Sequence, residues 1–138
     1  MKIKFLAGLF LAIFALLAVR NFALATNWQY VGTLSLSSGE VRKDYIDFDT
    51  IVADKDNKTI TYWVLSEVTH SSLTTKITKK YLTKMDDILL ATKLLEWHGY
   101  DDKNQEVVFD NKPSDSWEYP EDISLLMRAI DMARDQIK

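Results

Sequence analysis

Cysteine is absent from the 138 residues of this chain, and it has only two prolines and four glycines. Without cysteine the chain has no disulfides and no thiol nucleophile, and it lacks the commonest zinc ligand sets. The dispersed glycines exclude a P-loop and a G-x-G-x-x-G nucleotide loop. No internal repeat or low-complexity tract indicates a linker, so we expect one folded domain.

The longest apolar run lies near the start of the chain, at residues 5–19. It follows the basic residues Lys2 and Lys4 and precedes Ala23-Leu24-Ala25, which is the pattern of a secretory signal peptide. An uncleaved anchor is the alternative, although a spanning helix needs about 20 apolar residues. We expect residues 1–25 to be the signal peptide and residues 26–138 the exported domain, periplasmic or secreted. No cysteine follows the run, so lipid anchoring is not expected.

The excess of acidic over basic residues increases once the predicted leader is removed. Three of the 17 Lys and Arg residues (Lys2, Lys4 and Arg20) lie in the leader, which leaves 14 against 20 Asp and Glu, a net charge of −6. Acidic proteins are poor partners for nucleic acids and for anionic membrane surfaces. We therefore predict no nucleic-acid partner, and no membrane span after the leader is removed.

Alternating and β-branched stretches predict strands along most of residues 26–138. These stretches are residues 28–36, 43–48, 59–68, 76–85 and 106–109. The apolar stretch from Ile88 to His98 fits either a helix or a strand, and a hairpin strand is the economical choice between two neighbouring strands. Asp54 to Asn57 is typical of a turn, because Asp and Asn side chains bond to their own backbone.

The hydrophobic period changes near the C-terminus, where apolar residues recur at helical spacing. Pro120 suits a first helical position, and Glu121 and Asp122 complement the positive end of a helix dipole. The apolar stripe consists of Ile123, Leu126, Met127, Ile130, Ala133 and Ile137. The predicted fold class is α+β, a single antiparallel sheet of about six strands with one C-terminal amphipathic helix packed on it.

Six short motifs occur in a characteristic order along residues 26–138. They are W-x-x-V-G at 28–32, Y-I-D-x-D-T-I at 45–51, Y-W-V-L at 62–65, Y-L-T-K-M-D at 81–86, E-V-V-F-D at 106–110 and W-x-Y-P-E-D-I at 117–123. Together they resemble the surface-adhesin protein E-like family of small exported bacterial domains. The resemblance implies a sheet with a C-terminal helix and adhesion to host matrix proteins such as vitronectin or laminin. Members often carry a cysteine pair joining helix to sheet, which this chain lacks.

Residues 44–58 hold the densest run of carboxylates, and an EF-hand calcium loop is the obvious hypothesis. Such a loop needs oxygen ligands at positions 1, 3 and 5, Gly at 6 and Glu at 12. A loop starting at Asp47 places Val52 at position 6, and one starting at Asp54 places Thr59 there. Both loops fail, so we predict structural and turn roles for these aspartates.

Catalytic and metal-binding patterns are lacking in the sequence. His70 and His98 have no partner at a ligand spacing, and no G-x-S-x-G elbow is present. We predict no metal, no cofactor and no enzymatic activity. A periplasmic small-ligand or accessory protein is the alternative to an adhesin, and it would show a pocket between helix and sheet lined by Trp and His98. A hydrolase would show two buried carboxylates facing each other in a cleft.

Four lysines lie around Tyr81, at Lys76, Lys79, Lys80 and Lys84. One interpretation is a solvated strand face, because lysines also discourage edge-to-edge aggregation. The functional interpretation is a patch that binds an acidic protein or polysaccharide. We predict these lysines, together with Trp117 in the loop that follows the last strand, as the binding residues. We expect the other tryptophans to pack in the core or between helix and sheet.

Overall fold

The computed structural model describes residues 27–86, 89–121 and 124–138, so the predicted signal peptide lies outside the described residues. In chain order, the described residues form seven strands and one α-helix. These are β1 Trp28–Ser35, β2 Val41–Asp47, β3 Val52–Asp54, β4 Thr59–His70, β5 Leu73–Lys84, β6 Thr92–Tyr100, β7 Glu106–Asp110 and α1 Leu125–Gln136. The predicted α+β class is confirmed.

The strands form one antiparallel sheet in the order β1-β2-β4-β5-β6-β7. β3 pairs with the start of β4, and β2 pairs with the rest of it, so β2 and β3 lie on the same side of β4. A 3-10 turn, Phe48–Thr50, joins them. β3 was not predicted, because three exposed residues are too few to show an alternating pattern.

β4 and β5 form the centre of the sheet as a long hairpin of two twelve-residue strands. Their register runs unbroken from the pair Thr59 and Lys84 to the pair His70 and Leu73. In β4, every second side chain from Ile60 to Ser66 is buried, and the side chains between them are half-buried. The strand predicted here from β-branched and aromatic residues is therefore confirmed, and its successive side chains point to opposite faces.

The residues from Leu90 to Tyr100 resolve the ambiguous apolar stretch as a strand preceded by a buried loop. Leu90 and Ala91 lie in that loop, and Thr92 begins β6. A chain of buried hydroxyls links the strands here. Tyr62 Oη lies 2.8 Å from Thr83 Oγ1, Thr83 Oγ1 lies 3.0 Å from Thr92 Oγ1, and Thr92 Oγ1 donates to the Leu90 carbonyl at 3.0 Å. These bonds satisfy polar groups that burial removes from water.

The helix starts later than the sequence indicated. We expected Pro120 as its first residue, whereas α1 begins at Leu125 and Ser124 is its N-cap, with Ser124 Oγ accepting a hydrogen bond from Met127 N–H at 3.1 Å. Pro120 stays outside because the preceding residues run beside β6, where Glu118 and Thr92 exchange backbone hydrogen bonds of 2.8 Å. Ile123 lies outside the described residues.

The apolar stripe of α1 packs on β1, β2 and β4. Ala129, Ile130 and Ala133 are fully buried there, whereas Ile137 follows the helix and is 39% exposed. Gly32 in β1 permits this close approach, because a Cβ at Gly32 would lie only 2.7 Å from Leu125 Cδ2. The small residues on both elements therefore bring the helix close to the sheet.

The aspartates of residues 44–58 perform the structural roles that were predicted. Asp47 caps the 3-10 turn by accepting a hydrogen bond from Asp49 N–H at 3.1 Å. The Asp54 carboxylate accepts bonds from the backbone N–H groups of Asp56 and Asn57, each at 3.1 Å. These short-range bonds to the backbone are typical of Asp in turns.

Candidate functional site: the open face of the sheet

The two faces of the sheet differ in what covers them. Helix α1 packs over the face that carries Ile60, Tyr62 and Val64, which we call the covered face. The opposite side, which we call the open face, carries the alternate side chains of the same strands, among them Trp63 and Lys80. In the described ranges, α1 is the only α-helix, so no helix packs on the open face there.

Three of the four predicted lysines lie on the open face. Lys80 is opposite Trp63 in the β4–β5 register, and its Nζ lies 6.0 Å from the centroid of the Trp63 ring. Lys76 and Lys84 are each four residues from Lys80 along β5, so they point to the same face. Lysine side chains stacked on indole rings make favourable cation–π contacts.

Lys79 does not belong to this group, which corrects the predicted patch. It is opposite Val64 and therefore points to the covered face, where it is half-buried near Arg42 and Asp44. Burial lowers the pKa of Lys79, and the positive charge of Arg42 lowers it further. Successive side chains of a strand point to opposite faces, so the sequence alone already separates Lys79 from Lys80.

Trp117 is half-buried on the open face between two lysines. The ring centroid lies 4.3 Å from Lys84 Nζ and 5.0 Å from Nζ of Lys93, a residue that the sequence did not single out. The segment that carries Trp117 is held against β6, because Ser114 N–H donates to the Leu94 carbonyl at 2.8 Å. Trp117 is therefore a fixed part of this surface, and Lys93 replaces Lys79 in the basic group.

His98 lies at the β7 end of the open face between two carboxylates. Its Nε2 is 2.6 Å from Glu96 Oε2, and its Nδ1 is hydrogen-bonded to Glu106. The ring stacks on Phe109, with centroids 5.8 Å apart and an interplanar angle of 15°, and it lies 5.9 Å from the Trp63 ring. A neutral imidazole has one N–H, so only the imidazolium can donate to both carboxylates.

The pKa of His98 follows from this environment. Burial acts to lower it, but the hydrogen bonds that His98 donates to Glu96 and Glu106, together with their negative charges, raise the pKa above its ordinary value of 6.5. The sequence showed no partner for His98 at a ligand spacing, and the two carboxylates were missed. Glu96 was visible two residues away, whereas Glu106 depends on the irregular register between β6 and β7.

The open face is basic although the whole chain has a formal net charge of −3. Across β4, β5 and β6 its charged side chains, apart from His98, are Lys76, Lys80, Lys84, Lys93, Glu67 and Glu96. Glu96 is engaged by His98, and Glu67 lies directly opposite Lys43 on β2 and Lys76 on β5. The remaining lysines therefore give this face a positive field bordered by aromatic rings.

Two buried carboxylates lie on β2, and each has its own structural partners. Asp44 is 1% exposed and accepts hydrogen bonds from Arg42 Nε at 2.8 Å and Nη2 at 2.6 Å. This hydrogen bond raises the pKa of Arg42. Asp47 caps the 3-10 turn, and burial raises the pKa of its carboxyl group. Their side chains therefore serve ion pairing and capping.

A shallow groove of about 290 Å³ lies where the end of the helix meets the β3–β4 turn. It is lined by Ala53, Asp54, Lys55, Lys58, Thr59, Met85, Asp86 and Ile137. It contains neither the tryptophan nor the histidine that we expected of a small-ligand pocket. Among the described residues, no group of three or more His, Asp and Glu side chains is placed to hold a metal ion.

Comparisons with known proteins add no relative. No family model, no curated protein and no solved structure matches this chain. Within residues 27–86, 89–121 and 124–138, no helix has the length and apolar character needed to cross a membrane.

Proposed function

We propose that this chain is an exported, non-enzymatic binding protein that holds an acidic partner on the open face of its sheet. The observation that supports this most directly is the basic, aromatic surface made by Lys80, Lys84, Lys93, Trp63 and Trp117 on the side away from the helix. Complementary charge accelerates association and favours the right partner. Tryptophan side chains supply the large contact areas that dominate binding energy.

The partner that we propose is a host extracellular-matrix protein with an acidic segment. The resemblance of the motifs at residues 45–51 and 117–123 to the surface-adhesin protein E-like family supports this choice. A second support is that the groove of about 290 Å³ is not lined by Trp63, Lys80 or Trp117, whereas a small molecule usually requires a concave site.

The test compares two matched double variants in a solid-phase binding assay against vitronectin and laminin. Lys80→Gln with Lys84→Gln removes two charges from the open face. Lys55→Gln with Lys103→Gln removes two charges from exposed turns elsewhere. We expect the first variant to bind about tenfold more weakly than the wild type, and the control to bind within about twofold.

Three further measurements sharpen this test. Lys79→Gln should leave binding unchanged, because its side chain is on the covered face. Circular dichroism should show that each variant keeps its sheet. Cell fractionation with external protease should find the protein accessible at the surface or in the medium. Equal binding by the two double variants, or confinement of the protein to the periplasm, would contradict the proposal.

A further inference from the structure

Strand β7 is the last strand of the sheet, and its outer edge is unpaired. In the sheet order of the described residues, β6 is its only neighbour. All five residues of β7 are exposed, and three of them are large and apolar, with Val107 at 65%, Val108 at 46% and Phe109 at 58%. An exposed, apolar edge strand offers backbone N–H and C=O groups to another extended chain.

The strand β7 itself contains neither lysine nor proline, two of the usual protections against such pairing. Natural edge strands are blunted by lysine, by proline or by a bulge that twists the strand away. Lys112 and Pro113 come after the strand has ended, and the irregularity in the β6–β7 register skips Val107, so the bulge is confined to the first half of the strand. The three central residues therefore form an apolar edge without a charge of their own.

The charges at the two ends of β7 decide which chain can pair with it. Glu106 begins the strand and Asp110 ends it. A second copy related by twofold symmetry would pair antiparallel, and in the register that pairs all five residues of both strands Glu106 of one copy would lie opposite Asp110 of the other. Like charges directly opposite each other destabilise a sheet. His98 does not remove this repulsion, because one imidazolium is shared between Glu106 and Glu96.

We propose that β7 is a docking edge for an extended peptide segment of another protein, one with an apolar centre and basic residues at both ends. The segment adds an eighth strand beside β7. Its backbone bonds to the free edge, and its basic ends lie opposite Glu106 and Asp110. Such strand addition takes affinity from main-chain hydrogen bonds and specificity from the side chains. This site is the outer backbone edge of the sheet next to the basic open face, and it selects the opposite charge.

The first experiment tests for backbone pairing with a fluorescein-labelled probe, Lys-Val-Thr-Val-Lys, which matches the five residues of β7 and is titrated with the purified protein in fluorescence polarisation. Two modified probes carry N-methyl groups on alternate residues, one on the odd and one on the even set. Alternate N–H groups of a strand point to opposite edges. We expect one set to weaken binding more than about tenfold, and the other to change it less than about threefold.

The second experiment tests the charge rule with a probe whose end residues are Glu. We expect the Lys-ended probe to bind about tenfold more tightly. Asp110→Asn should shrink this preference to about threefold. The amide oxygen can still accept the bond that Asp110 Oδ1 receives from Lys112 N–H at 2.8 Å, so this variant keeps the local turn.

The outcomes separate this proposal from the one for the open face. Lys80→Gln with Lys84→Gln should leave binding of the Lys-ended probe within twofold of the wild type. Equal losses from both N-methylated probes, or equal binding of the Lys-ended and Glu-ended probes, would overturn the docking edge. So would sedimentation showing a dimer that Val107→Lys converts to a monomer, because the occupant would then be a second copy.

Discussion

The covered and open faces use the same strands for two different tasks. Tyr62 and Trp63 are neighbours in β4, yet Tyr62 is fully buried under the helix and Trp63 is half-exposed beside Lys80. Lys79 and Lys80 in β5 are divided in the same way. Because side chains alternate, one strand can supply the core with every second residue and leave the others free for binding.

The largest difference between the two faces is expected in the free energy of unfolding that is lost when an apolar side chain on each face is truncated. Ile130→Ala removes a fully buried side chain between α1 and the sheet, and should cost about 2–5 kcal/mol. Leu65→Ala is the matched change on the open face, where the side chain is half-buried, and it should cost about 1 kcal/mol. Urea unfolding measures both, and equal losses would show that the open face is also core.

A second difference is expected from the charged residues of β2. Arg42→Met leaves the buried Asp44 without its two hydrogen bonds, and we expect a loss of about 2–3 kcal/mol. Lys43→Met, one residue away on the exposed side, should cost less than about 0.5 kcal/mol. If the double variant Arg42→Met with Asp44→Leu is more stable than Arg42→Met alone, the unpaired carboxylate is the cause of the loss. A persistent loss would instead implicate the packing of Arg42.

The smallest effect is expected from the pH dependence of the open face. The folded pKa of His98 lies above 6.5, so its bonds to Glu96 and Glu106 contribute fully below about pH 6.5 and are lost as the pH rises through the folded pKa. The contribution should be at most about 1 kcal/mol, as for other partly exposed ion pairs. Urea unfolding should therefore show that the free energy of unfolding of the wild type falls between about pH 6 and pH 9. The His98→Gln variant should not show this fall.

The control for this pH effect is His70→Gln at the exposed end of β4. Its free energy of unfolding should fall between the two pH values as it does in the wild type. A wild-type protein whose stability is constant over this range would contradict the assignment of an imidazolium between the two carboxylates. Glu106→Gln offers a second check, because it removes one of the two charges and should reduce the loss.

The sequence predicted the sheet well because its strands alternate clearly and its turns have typical residues. The pattern in Thr59–His70 and the Asp and Asn residues after β3 are local features, and both were recognised. The start of the helix was less visible, because Pro120 and Ser124 are both reasonable helix-start residues. The backbone pairing of Glu118 with Thr92, a tertiary contact, decides between them.

The open face could be predicted only in part. Lys76, Lys80 and Lys84 share a face by alternation alone, and the same rule could have excluded Lys79. Lys93 could not be added before residues 88–98 were assigned to a strand. The contact of His98 with Glu106 could not be predicted from the sequence, because it depends on a shift of register next to Gly99. The face that a side chain occupies can therefore be predicted from the sequence of its own strand, whereas its partner on the neighbouring strand can be predicted only when the register is known.

The order of the strands also bears on how the chain folds. Apart from the short β3, each strand of the path β1-β2-β4-β5-β6-β7 pairs with its predecessor, so the sheet can grow hairpin by hairpin from contacts close in sequence. The exception is α1, which packs on β1 at the far end of the described chain. Loop-closure entropy makes such a contact the costliest to form early. The helix is therefore expected to dock last, after the strands between it and β1 have paired.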